Sequence, residues 1–153
     1  MKKFLVVIMV LVLATSFAFA QDIDTKKADW GLRTGMPFGI AGRFHLDGAK
    51  SLEFIAGISG GSIINLTGLY EWHKPIGEIE NLSWYYGGGV HVGVLPLNLG
   101  VDGVVGIEYD LESLISFPLS ISADYKPAIN FFSFITSDLS NASLTFRYTF
   151  GKR

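Results

Sequence analysis

Along the stretch Ala142 to Phe150, Ala142, Leu144, Phe146, Tyr148 and Phe150 alternate with Ser143, Thr145, Arg147 and Thr149. A period of two puts apolar and aromatic groups on one face of a strand, and hydroxyls and a guanidinium on the other. Seven earlier segments repeat the pattern. Ala28 to Met36 sets Trp30 and Leu32 against Asp29 and Arg33. Phe38 to Leu46 sets Ile40 and Phe44 against Arg43 and His45. Ser51 to Ser59 sets Leu52 and Phe54 against Glu53. Ser62 to His73 sets Leu66, Tyr70 and Trp72 against Thr67, Glu71 and His73. Leu82 to Val92 sets Trp84 and Tyr86 against Gly87 and His91. Val101 to Tyr109 sets Val105 and Ile107 against Asp102 and Glu108. Phe117 to Tyr125 sets Leu119 and Ile121 against Ser122 and Asp124, with Lys126 next on the polar face.

Reversals are predicted between these runs, where Gly, Pro, Asn and Asp cluster: Met36-Pro37-Phe38-Gly39, Asp47-Gly48, Gly60-Gly61, Lys74-Pro75-Ile76-Gly77 and Asn98-Leu99-Gly100. The longest connection is Pro127 to Asn141. Its Phe131, Phe132 and Phe134 suit either an outside contact or an extension of the flanking strands. No segment shows a competing helical period.

The first residues differ in kind. Lys2 and Lys3 precede the apolar run Phe4 to Leu13, and Ala18-Phe19-Ala20 gives a small-x-small exit before Gln21. This predicts a secretory signal peptide over residues 1–20, a short polar lead-in over 21–27, and one domain over 28–153. The alternative, a membrane anchor, needs roughly 20 apolar residues, and polar residues follow this run too soon.

Composition narrows the class. There are no cysteines, so neither disulfides nor thiol chemistry is available. The net charge is −2 with no basic run, which gives nucleic acid no footprint. Mean hydropathy is positive although no later run could form a spanning helix. Period-2 strands in lipid produce that combination, because half of each strand faces hydrocarbon. A soluble eight-stranded barrel with its apolar face inside is the rival. The chain has 12 Phe, 6 Tyr and 3 Trp, and the aromatic face would overfill so narrow an interior. Small and hydroxylated residues on the other face suit a lumen. Rings near strand ends suit girdles at two membrane interfaces. The expected fold is all-β, an eight-stranded antiparallel up-and-down transmembrane barrel.

These features resemble the small eight-stranded outer-membrane barrels of Gram-negative envelopes, the OmpA/OmpX/OmpW-like group. The resemblance covers nearly all of the chain that follows the expected leader, residues 21–153. It is carried by the leader, the eight alternating strands and the closing run Ser143-Leu144-Thr145-Phe146-Arg147-Tyr148-Thr149-Phe150. It implies that Phe146, Tyr148 and Phe150 form the signal read by the barrel-assembly machinery. It also implies an outer-membrane location after export through the periplasm, contact with outer-membrane lipid, and a porin-like architecture. It brings no catalytic residues.

The polar face would line the lumen. With both termini on the periplasmic side, Arg43, His45, Glu53, Glu71, Glu108 and Arg147 fall in the periplasmic half, and Arg33, Asp102, Asp124 and Lys126 nearer the outer half. Opposite charges share each level, as a low-dielectric interior demands. The expected role is structural or surface-interacting, with a salt-bridged, largely plugged lumen and a monomeric state. A narrow small-solute pore is the runner-up, because inward glycines such as Gly57, Gly87, Gly89 and Gly106 leave room for water. A lipid-modifying enzyme is the third class. His45 and His73 lie at one end and His91 at the other, on the order of 20 Å apart, so they cannot share one metal. His-Glu-x-x-His and Gly-x-Ser-x-Gly are absent. An outer dyad of His91 with Ser137 or Asp138 is the remaining catalytic option. No catalytic residue, metal or cofactor is expected, and the external ligand is undetermined.

Overall fold

A computed structural model describes residues 28–46, 49–59, 62–131 and 135–150. The expected leader and lead-in, the Asp47-Gly48 and Gly60-Gly61 turns, Phe132 and Phe134 lie outside these residues. The strands are β1 (Ala28–Gly35), β2 (Phe38–His45), β3 (Lys50–Ser59), β4 (Ser62–Pro75), β5 (Leu82–Val94) and β6 (Asn98–Asp110). A four-residue helix α1 (Glu112–Ile115) follows. Then come β7 (Leu119–Tyr125), β8 (Ala128–Asn130), β9 (Thr136–Asp138) and β10 (Ala142–Phe150).

From β1 to β7 each strand pairs antiparallel with the next, and β10 pairs with both β7 and β1, which closes the sheet. The barrel is eight-stranded because β8 continues β7. Both keep one register on β6, from Val105 opposite Tyr125 to Gly100 opposite Asn130. Pro127 interrupts the ladder without breaking it, and its carbonyl accepts from the Gly103 amide at 2.9 Å. β9 pairs with β8, so much of the Pro127 to Asn141 connection is a strand extension rather than an open loop.

The stagger follows from the register. Cross-strand partners lead from Leu119 through Tyr148, Trp30, Gly42, Phe54, Gly68, Val90 and Val101 to Ile129. One circuit thus returns to the β7–β8 strand ten residues further on. Eight strands with that stagger tilt by roughly 40° to the barrel axis, inside the range small closed barrels require.

Burial is inverted relative to a water-soluble domain. Arg33, Arg43, Arg147, Glu53 and Glu71 have no solvent exposure, whereas Phe54 is 51 % exposed and Ile40 58 %. In β10 the alternation is unbroken: Ser143, Thr145, Arg147 and Thr149 are buried, and the residues between them are exposed. Among buried apolar residues, Ala41, Ile55, Leu69, Tyr85 and Val104 form a small cluster inside the lumen. The alternation predicts that Ile55, Leu69 and Tyr85 point inward, but their apolar character obscured them among the polar positions.

Aromatic contacts gather at the proximal end, where β1 begins and β10 finishes. Tyr70 meets Trp72, Trp72 and Trp84 stack on Tyr86, and Tyr148 contacts Phe117 and Phe150. The distal rim carries Phe38 and Phe131 among aliphatic Ile58, Ile64 and Val94. Ring–ring contacts are therefore concentrated at the proximal end, and the distal rim is mostly aliphatic.

Two boundaries differ from the sequence reading. Asn98, Leu99 and Gly100 belong to β6, and the reversal falls earlier, where Leu95 has a φ of 59°. Pro75 ends β4, and the chain turns over residues 76–81 instead.

Candidate functional site

The lumen collects the charged side chains that the alternation assigned to the polar face in three tiers, with Asp29 apart at the proximal rim beside His45. At the proximal tier Arg43 of β2 and Arg147 of β10 meet Glu53 of β3, Glu71 of β4 and Glu108 of β6. Arg43 Nε lies 3.1 Å from Glu71 Oε2, and its Nη1 bonds Glu108. Arg147 Nη2 bonds Glu53, Nη1 bonds the Ser122 hydroxyl and also lies 3.4 Å from Glu108. Five strands contribute, so no sequence-local pair accounts for the arrangement. Arg43 also sits 5.0 Å from the centre of the Tyr85 ring, a cation–π contact.

The middle tier is a forked pair. Arg33 Nη1 and Nη2 reach the two Asp124 oxygens at 2.9 and 2.5 Å. The Tyr85 hydroxyl donates to Asp124 at 3.0 Å and the Ser143 hydroxyl at 3.1 Å. A carboxylate with four donors is well compensated for leaving water.

The distal tier is smaller. Lys126 bonds Asp102, whose other oxygen lies 2.8 Å from His91 Nδ1. His91 Nε2 is 2.8 Å from Asn130, which also accepts from Asn98. Lys126, His91, Asn98 and Asn130 border a cavity of about 50 Å³ shared with Asn65, Asn141 and Pro37. At the proximal mouth a cavity of about 650 Å³ is lined by His73, Glu108 and the β4–β5 turn.

The remaining histidines sit at the proximal rim. His45 Nε2 is 2.6 Å from Asp29, and His73 Nε2 is 2.9 Å from the Ser51 hydroxyl and 3.3 Å from Glu71. Ser, His and Glu thus come together, but on one ring nitrogen. A nucleophile relay needs the acid on one nitrogen and the hydroxyl on the other. The His91 option fares no better, because both its nitrogens are engaged by Asp102 and Asn130. No group of three or more metal-ligating side chains occurs among the described residues.

The sequence placed Arg43, His45, Glu53, Glu71, Glu108 and Arg147 in one half of the lumen and Arg33, Asp102, Asp124 and Lys126 nearer the other; the structure joins the first set in one ion-pair cluster except His45, which sits on Asp29. It also splits the second set into two ion-paired tiers. Tyr85, which links the Arg33–Asp124 pair to Arg43, was missed. Its inward parity between Trp84 and Tyr86 was the available signal. Phe146, Tyr148 and Phe150 all point out of the barrel and are exposed. A scan of protein families, a search of curated proteins and a search of solved structures each returned no match.

Proposed function

We propose that this chain is a non-enzymatic integral outer-membrane barrel whose lumen is closed by its ion-pair tiers, serving a structural or surface-interaction role as a monomer. The observation that carries the reading is the inversion of burial: three guanidiniums without solvent inside, rings and aliphatics outside. An uncovered apolar sheet exterior is unstable in water and stable in hydrocarbon. Phe146, Tyr148 and Phe150 then serve the assembly machinery, and lipid covers the outer face. The distal turns at 36–37 and 95–97 are short, so contact with other molecules falls to the β8–β9 extension, where Phe131 is 54 % exposed.

A narrow pore is the second reading. It is favoured by Arg33 Nε, Arg43 Nη2 and Arg147 Nε, which are buried without a hydrogen-bond partner. Buried donors of this kind are commonly met by water.

Fractionation of cells expressing the full chain tests location, and planar-bilayer recording tests closure. Recovery in the outer membrane with heat-modifiable gel mobility and no regular conductance steps is expected. Recovery in a soluble fraction sinks the membrane reading. Regular steps sink the plug and favour the pore.

A further inference from the structure

Among the described residues, the proximal tier is short of one positive charge. Arg43 and Arg147 supply two, while Glu53, Glu71 and Glu108 supply three carboxylates. Arg33, the next cation on β1, is engaged by Asp124 and does not close the gap. An uncompensated charge in a dry interior is expensive, so a group in this position takes up a proton instead.

The hydrogen bonds indicate where that proton sits. Glu71 Oε2 accepts from Ser51 at 3.1 Å and faces Arg43 Nε. Glu53 Oε1 is taken by Arg147, and Glu108 Oε2 by Arg43. Two carboxyl oxygens of the tier remain buried without a hydrogen-bond partner: Glu53 Oε2, whose nearest cation is Arg43 Nη2 at 3.9 Å, and Glu71 Oε1. Glu71 stands opposite Ser51 and Glu53 opposite Leu69, so the two carboxyl groups are diagonal neighbours on the inward face of β3 and β4. Two acceptors cannot satisfy each other unless one of them bears hydrogen.

We propose that a proton is held between Glu53 and Glu71 as a carboxylic acid–carboxylate pair. A single hydrogen satisfies both orphaned oxygens and balances the tier at two positive and two negative charges. Two unit charges in contact repel strongly in low dielectric, which is why adjoining carboxyl groups share protons. His73 is the competing site, since its protonation would also balance the charge. It reaches only Glu71 Oε2 and leaves the two orphaned oxygens unmet. The Tyr85 hydroxyl from β5 is directed to Asp124, and Ser122 from β7 to Arg147, so neither supplies the missing hydrogen. The inference requires the packed lumen alone and is independent of which membrane holds the barrel.

Infrared spectroscopy of the purified, folded full chain tests this at neutral pH. A protonated carboxyl absorbs above the amide I band and shifts in deuterated water. The band should be present in the wild type, absent in Glu71→Gln and retained in His73→Gln. Glu71→Gln should also unfold at an unchanged temperature, because its amide donates the same hydrogen bond, whereas Glu53→Gln should unfold lower. The wild-type spectrum stands even if a variant fails to fold. A wild type with no acid band, a band unaffected by Glu71→Gln, or Glu71→Gln as damaging as Glu53→Gln would overturn the proposal.

Discussion

Arg147 of β10 donates to Glu53 of β3, 94 positions earlier in the chain, across a lumen where neither side chain meets solvent. β10 and β3 are not neighbours in the sheet; β1 and β2 lie between them. The contact therefore spans the barrel interior and exists only once the sheet has closed.

Removing one partner of such a pair leaves the other charge buried and uncompensated. Arg147→Met is expected to destabilise the barrel by about 3–5 kcal/mol. The double variant Arg147→Met with Glu53→Leu should cost less than the two single changes together, because it removes both desolvated charges. A double-mutant cycle from urea unfolding in detergent measures this. Simple additivity would show that the pair is not coupled.

The Glu71→Leu, Glu108→Leu variant tests the same tier from the acidic side. It leaves Arg43 with Glu53 at 3.9 Å, and Arg147 with Glu53 alone. Two guanidiniums would then share one carboxylate. The folded form should lose resistance to heat and SDS, seen as a lower temperature for the gel-mobility shift. An unshifted transition would mean that water, rather than Glu71 and Glu108, neutralises the arginines.

The eight strands and their inward faces were legible because a period of two is a local signal that survives without any tertiary information. Which inward residues meet was not legible. That depends on the stagger of ten residues per circuit, a property of closure rather than of any one strand. The level of Arg43 and Glu71 could be read from strand direction, while the fork of Arg33 on Asp124 could not. Asn98-Leu99-Gly100 shows the converse failure. Glycine there signals a turn by composition, yet a Cβ at Gly100 would come within 2.4 Å of the His91 ring and 2.3 Å of the Ile129 carbonyl oxygen. The glycine makes room for His91 and the β6–β8 pairing inside a strand, a use of glycine indistinguishable from a turn in sequence alone.

Tyr85 joins two tiers, with its hydroxyl on Asp124 and its ring beside Arg43. Tyr85→Phe keeps the ring and loses one hydrogen bond, which costs about 1–3 kcal/mol since it involves a charged acceptor. Tyr85→Ala also opens a void beside Ile55, Leu69 and Val104, and should cost about 3–5 kcal/mol. Equilibrium unfolding of both variants checks the order. Equal losses would place the whole contribution in the hydroxyl.

The outward face offers the sharpest contrast between solvents. Ile40 is 58 % exposed near the middle of the barrel wall, opposite Leu32 on β1 and Ala56 on β3. Had the barrel evolved for water, Ile40→Arg would be close to neutral, as surface changes usually are. In hydrocarbon the same change puts a guanidinium at mid-depth and costs about 2–4 kcal/mol. The matched change at the proximal rim, Phe150→Arg, should cost no more than about 1 kcal/mol, because the side chain reaches the interface. Unfolding in lipid vesicles measures both. A depth-dependent penalty supports lipid as the natural surroundings of this face, and two equal, negligible changes would sink that reading.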